Sequence, residues 1–101
     1  MSKYKITILQ NAREDIGEIY FYIAEDSPNS ALAMTDKIID KINTLAELPL
    51  IGKIVQDSEL AKQEYRMLVI ESYIAFYKLI NDEVVVYRVL HGMRDYPDLL
   101  K

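Results

Sequence analysis

The residues best suited to chemistry gather in the final third of this 101-residue chain. Arg66 and Arg94 carry guanidinium groups, which grip phosphate oxygens in bidentate pairs and stay charged at any working pH. His91 is the only histidine, a side chain type that can carry protons near neutrality. Two clamps and a proton carrier would suit chemistry at a phosphate. A histidine before a glycine at a strand end also holds a turn by hydrogen bonding, and that structural role is the stronger expectation for His91-Gly92. Glu71 offers a carboxylate beside Arg66, Asp95 is expected to cap the turn or pair with Arg94, and Arg88 is read as a core-edge arginine paired to a carboxylate. There is no glycine-rich phosphate loop, no Ser/His/Asp set and no metal-ligand cluster, so no cofactor is expected.

The elements that must position these groups follow from periodicity. Residues 4–10 alternate as a first strand. Asn11 with Glu14 three residues on has the form of a capping box, and Ala12, Ile16, Ile19, Tyr20 and Ile23 then form one helical stripe. Ser27-Pro28 signals a second helix start after a short loop at Glu25–Ser27, with Ala31, Thr35, Ile38, Ile42 and Leu45 at helical spacing until Leu48-Pro49. The polar stretch Gln56–Glu64 reads as a loop. Strands are expected at Glu64–Ile70, Tyr73–Ile80 and Glu83–Leu90, the last two joined by Asn81-Asp82, which tolerates the positive φ of a tight turn. By alternation Arg88 shares a face with Val84 and Val86, and Tyr65, Tyr73, Tyr77 and Tyr87 read as strand packing.

The order is β-α-α-β-β-β. It predicts an α+β fold in one domain spanning residues 1–101, a helical hairpin packed on one face of a mostly antiparallel four-stranded sheet. The opposite face is left free for function.

Composition narrows the setting. Half of the residues are hydrophobic, enough for one core, and the absence of cysteine excludes disulfides and thiolate zinc sites. The N-terminal run opens directly into an alternating pattern, with no signal-peptide core and no stretch able to span a bilayer, so a cytoplasmic protein without membrane contact is expected. A net charge of −4 argues against a general nucleic-acid binder. That excess sits between Asn11 and Asp26, where Arg13 faces Glu14, Asp15, Glu18, Glu25 and Asp26, while from Arg66 to Lys101 cations and anions balance.

One pattern spans these elements: Tyr65-Arg66-Met67-Leu68-Val69-Ile70, then Tyr73-Ile74-Ala75-Phe76-Tyr77, then Val85-Val86-Tyr87-Arg88-Val89-Leu90-His91-Gly92-Met93-Arg94-Asp95. It resembles the RelE/ParE toxin superfamily, in which an aromatic-rich strand ends in Phe-Tyr and the next runs into a His-Gly-x-Arg-Asp turn. Ala12, Asp15, Ile16, the Tyr22-Ile23 pair, and Leu45 through Pro49 to Gly52 match its spacing upstream. The resemblance implies the plasmid-stabilisation type of toxin, the growth-inhibiting half of a type II toxin–antitoxin system, neutralised by a cognate antitoxin. RelE-like members are mRNA interferases that cleave messenger RNA in the ribosome; ParE-like members bind DNA gyrase and trap it on DNA.

The chain sits closer to the ParE-like side. Arg94 matches an arginine of the cleaving members, and in an RNase reading Arg66 and Arg94 hold the phosphate while His91 carries the proton. Near Ile70, however, where those members place a further arginine, the chain is apolar, and their C-terminal tyrosine has no counterpart, since Tyr96 falls too close to Arg94 and Leu99 and Leu100 follow. A gyrase-binding reading needs surface instead. Phe21 points away from the buried stripe beside Gly17, a candidate partner contact, and the segment Tyr96–Lys101 is expected to extend from the sheet end framed by Arg66, His91 and Arg94. A third reading keeps the fold and antitoxin binding but not toxicity. The antitoxin is expected to dock a helix or strand along apolar grooves, in part through basic residues facing the acidic first helix. Self-association and assembly with the antitoxin both stay open.

Overall fold

The computed structural model describes residues 3–100. Strand β1 (Lys5–Ile8) leads into helix α1 (Gln10–Ala24) and helix α2 (Pro28–Asn43), which ends in a 3-10 turn at Thr44–Ala46. A two-residue strand β2 (Lys53–Ile54) and a short helix α3 (Ser58–Lys62) follow. Strands β3 (Arg66–Ile70), β4 (Tyr73–Ile80) and β5 (Glu83–His91) run in succession, and helix α4 (Tyr96–Leu100) closes the described chain. The sheet order is β1-β5-β4-β3-β2, with β1 parallel to β5 and every other pair antiparallel. Among the described residues no helix is long and apolar enough to cross a membrane.

The fold is the expected α+β class with one strand more. Strand β2, the fifth, is too short to alternate; it is defined by pairing Lys53 with Met67 and Ile54 with Arg66 at the edge of β3. The stretch read as a loop holds α3, whose start is fixed by the Asp57 side chain accepting from Leu60 N–H (3.0 Å). Helix α1 starts earlier than the capping box implied. Leu9 is its N-cap, its apolar side chain making no capping bond, while its own N–H stays on the strand ladder with Val86 O (3.0 Å). Asn11 therefore falls inside the first turn, and the side-chain bond there runs from Gln10 Nε2 to Glu14 Oε2 instead. Helix α2 starts as read, with Ser27 Oγ accepting from Ser30 N–H and Pro28 at the first helical position.

The helical hairpin covers one sheet face. Ala12 and Ile19 of α1 and Ile38, Ile42 and Leu45 from α2 and its end are buried against Leu68, Ile70, Ala75, Tyr77, Val84 and Val86. The other face is not free. Leu60 of α3 and Tyr96, Leu99 and Leu100 of α4 pack over Tyr65, Phe76 and Leu90. These apolar side chains alternate with those of the first core along the strands, so leaving them bare would expose an apolar second face to water; the short helices remove that cost.

Two hairpins set the register. Asn81 takes φ of 56° between β4 and β5, as its side chain type permits, and Glu71 takes the same value between β3 and β4. A bulge in β5 leaves Tyr87 between the pairs Tyr77↔Val86 and Phe76↔Arg88. The extra residue shifts the alternation, so Val89, not Arg88, follows Val84 and Val86 into the first core.

Candidate functional site

Beyond Val86, β1 no longer flanks β5, and α1 closes in on the exposed strand edge. Asp15, only 5% exposed, stands where a strand partner would be: its Oδ2 accepts the N–H of Val89 (2.9 Å). The same carboxylate grips Arg88, with Nε to Oδ2 at 2.7 Å and Nη2 to Oδ1 at 2.8 Å, while Nη1 of Arg88 reaches Leu99 O at 3.3 Å. This hydrogen-bonded carboxylate holds the guanidinium above the ordinary arginine range, with burial pulling the other way. Arg88 is thus the core-edge arginine anticipated from sequence. It ties α1 on one face of the sheet to α4 on the other.

Past this clamp the wall between α1 and β5 opens into a cleft of about 480 Å³. Its apolar lining comes from Ile19, Met34, Val89 and Leu90, and its polar lining from Asp15, Glu18, Tyr22, Ser72, Tyr73, His91 and Arg94. His91 sits at the end of β5 with its ring edge-on to Tyr73 (5.6 Å between centroids). Its Nδ1 accepts the N–H of Met93 (3.1 Å) and its carbonyl accepts that of Arg94 (3.0 Å). Gly92 N–H reaches Ser72 O across the hairpin (2.9 Å). These backbone bonds fix the turn; among the described residues Asp95 makes no ion pair with Arg94.

The three groups expected on one rim do not share it. His91 and Arg94 line the cleft, but Arg66 lies at the Tyr77 level of β4, four residues from the Tyr73 level that faces His91. At the rise of a strand that is roughly 13 Å along the sheet. There Nη1 of Arg66 donates to Gly52 O (2.7 Å) and Leu50 O (3.3 Å), holding the loop before β2. Tyr77 holds it from below, donating to Pro49 O (2.8 Å) and accepting from Gly52 N–H (2.9 Å). Sequence reading missed this clip because its acceptors are backbone carbonyls, which leave no side-chain signature.

Phe21 and Tyr22 are 71% and 75% exposed beside the cleft, and Phe21 packs edge-on to Tyr20 (5.4 Å). A Cβ added at Gly17 would meet nothing within 4 Å, so that flank of α1 is open. Tyr96 does not project outward with the residues after it. It stacks on Phe76 (4.8 Å, 28° between planes), folding α4 back onto the sheet; Lys101 lies outside the described residues. Between His91 and Arg94, Met93 is 88% exposed, a feature that a lone methionine in a turn does not announce in the sequence.

The helical hairpin on a sheet with one parallel edge pair, and the cleft at the end of β5, make an α+β fold shared with chains of two solved toxin–antitoxin assemblies. A chain of the chromosomal ParDE toxin–antitoxin system from P. aeruginosa superposes with a TM-score of 0.75 at 18% identity, over 88% of this chain and 96% of that one. A chain of the RelBE2 toxin–antitoxin complex from Mycobacterium tuberculosis superposes with a TM-score of 0.62 at 21% identity, over 88% and 98% respectively. A search of curated protein sequences found no match. Residues 6–96 match the family described as ParE toxin of type II toxin–antitoxin system, parDE, and the chain belongs to that family.

Proposed function

We propose that this toxin arrests growth by binding DNA gyrase in the cytoplasm and is neutralised by a cognate antitoxin. The observation that carries this reading is the commitment of Arg66 to the carbonyls of Leu50 and Gly52, far from His91 and Arg94. Metal-free RNA cleavage concentrates positive charge and proton-transfer groups around one phosphate. The cleft offers one guanidinium, and Glu18 lines the same wall. Inhibition by binding needs only a shaped surface, and exposed Phe21 and Tyr22 beside a partly apolar cleft supply one. The acidic face of α1 favours a basic segment in whatever docks there.

Purified protein added to gyrase and relaxed plasmid is expected to block supercoiling. Unimpeded supercoiling at concentrations that arrest cells would remove this reading. The presence of His91 and Arg94 in one cleft keeps ribosome-dependent RNA cleavage as the second reading, with new 5′ ends on translated messages after induction as its signature. Unaltered growth on induction would instead favour a protein that binds antitoxin without being toxic.

A further inference from the structure

On the far side of the Asp15–Arg88 clamp from the cleft lies a second pocket of about 370 Å³, where the start of α1 meets the second sheet face and α4. Gln10 and Asn11 of the first turn line it, with Tyr65, Tyr87 and Arg88 on the sheet side and Leu9, Leu99 and Leu100 around them. Helix α1 has 15 residues, and its N-cap, Leu9, offers no side-chain acceptor, so no cap satisfies the first-turn N–H groups.

A second observation points the same way. Tyr65 is only 5% exposed, yet its hydroxyl has no hydrogen-bond partner among the described residues. Among the described residues no fully buried polar side-chain atom is left unsatisfied, so this hydroxyl keeps some solvent access, and Tyr65 lines the pocket. Tyr87 stands edge-on to Tyr65 (5.1 Å), and Lys78 Nζ lies over both rings, at 4.3 Å and 5.3 Å. Burial and the neighbouring Tyr87 push the Tyr65 phenol up, which keeps it a donor. Of the carboxylates nearby, Asp15 is consumed by Arg88 and Val89, and Glu14 accepts from Gln10.

We infer that this pocket binds a phosphate group, held by the first-turn amides of α1, the Tyr65 and Tyr87 hydroxyls and the outer edge of the Arg88 guanidinium. The group has a helix N-terminus behind it and the Arg88 guanidinium beside it, and its ligands come from α1, β5 and Tyr65, which immediately precedes β3, with α4 alongside. Inorganic phosphate and the phosphate of a nucleotide share this chemistry.

The test is titration of the full chain, at constant ionic strength, with inorganic phosphate, AMP and adenosine, followed by amide NMR shifts. Phosphate and AMP are expected to move the Gln10, Asn11 and Ala12 amides saturably, adenosine not at all, and AMP more tightly than phosphate if the natural source is a nucleotide. Tyr65→Phe is expected to weaken phosphate binding about tenfold, the usual loss for one hydrogen bond to a charged group. Should that variant fail to fold, Tyr87→Phe reads the same contact from the rim. Linear shifts matched by chloride, saturation unchanged in the folded tyrosine variant, or equal binding of adenosine and AMP would each overturn the inference.

Discussion

Asp15 and Arg88 lie 73 residues apart in sequence and meet in a two-pronged pair, 2.7 and 2.8 Å long, where β5 has run past the end of β1 and keeps a strand neighbour, β4, on one edge only. The pair does three jobs at once: it docks α1 on the sheet edge, satisfies the N–H of Val89 and, through Leu99 O, anchors α4. Both the cleft and the second pocket are walled by it.

Removing the carboxylate strands a partly buried guanidinium and a buried amide together. Asp15→Ala should therefore cost about 3–5 kcal/mol, and Arg88→Met, which leaves Val89 N–H satisfied but strands the more deeply buried carboxylate, should cost a comparable amount. Urea denaturation of the two variants checks this; a loss below about 1 kcal/mol in either would show that the pair does not hold α1 to the sheet edge.

Two glycines should respond in opposite directions. A Cβ at Gly52 would lie 2.6 Å from Met67 O and from Tyr77 Oη, so Gly52→Ala should destabilise by about 1–3 kcal/mol or more. At Gly17 a Cβ meets open space inside a helix, and Gly17→Ala should stabilise by about 0.5–1 kcal/mol. Thermal melts of both variants decide the matter. If Gly17→Ala raises stability while weakening toxicity, that flank of α1 is a partner contact.

Alkaline pH should loosen the fold through Tyr77. Burial pushes its phenol above the ordinary value of 10.0, so its contribution to stability is whole below that pH and is lost as pH rises through the folded-state value; Tyr65 shifts in the same direction. Urea midpoints measured from pH 8 to 11 should fall toward the alkaline end. Tyr77→Phe should start about 1–3 kcal/mol less stable, having stranded Gly52 N–H and Pro49 O, and then fall less steeply.

Surface variants separate contact from folding. Phe21→Ala, Tyr22→Ala and Arg94→Ala alter exposed side chains and should leave stability within about 0.5 kcal/mol of the parent. Under the proposed function, Phe21→Ala combined with Tyr22→Ala should weaken gyrase inhibition or antitoxin binding at least tenfold, as expected for exposed aromatic anchors. Supercoiling assays and direct binding measurements provide the readout; full activity in the folded double variant would move the contact surface elsewhere.

Periodicity and turn chemistry were enough to define the helical hairpin, the three consecutive strands and the Asn81 turn, because each depends on neighbours a few residues away. The carboxylate partner foreseen for Arg88 was legible as a need, though not as Asp15. Tertiary structure alone decided the rest. One extra residue at Tyr87 changed which side chains of β5 enter the core, and a two-residue strand took its identity entirely from the edge of β3. Arg66 went to backbone carbonyls of a loop 14 and 16 residues away, contacts that no pattern of side chains records. Short elements such as α3 and α4 bury too little surface to hold their own shape, so it is the apolar face of the sheet they cover, Tyr65, Phe76 and Leu90, that decides where they lie.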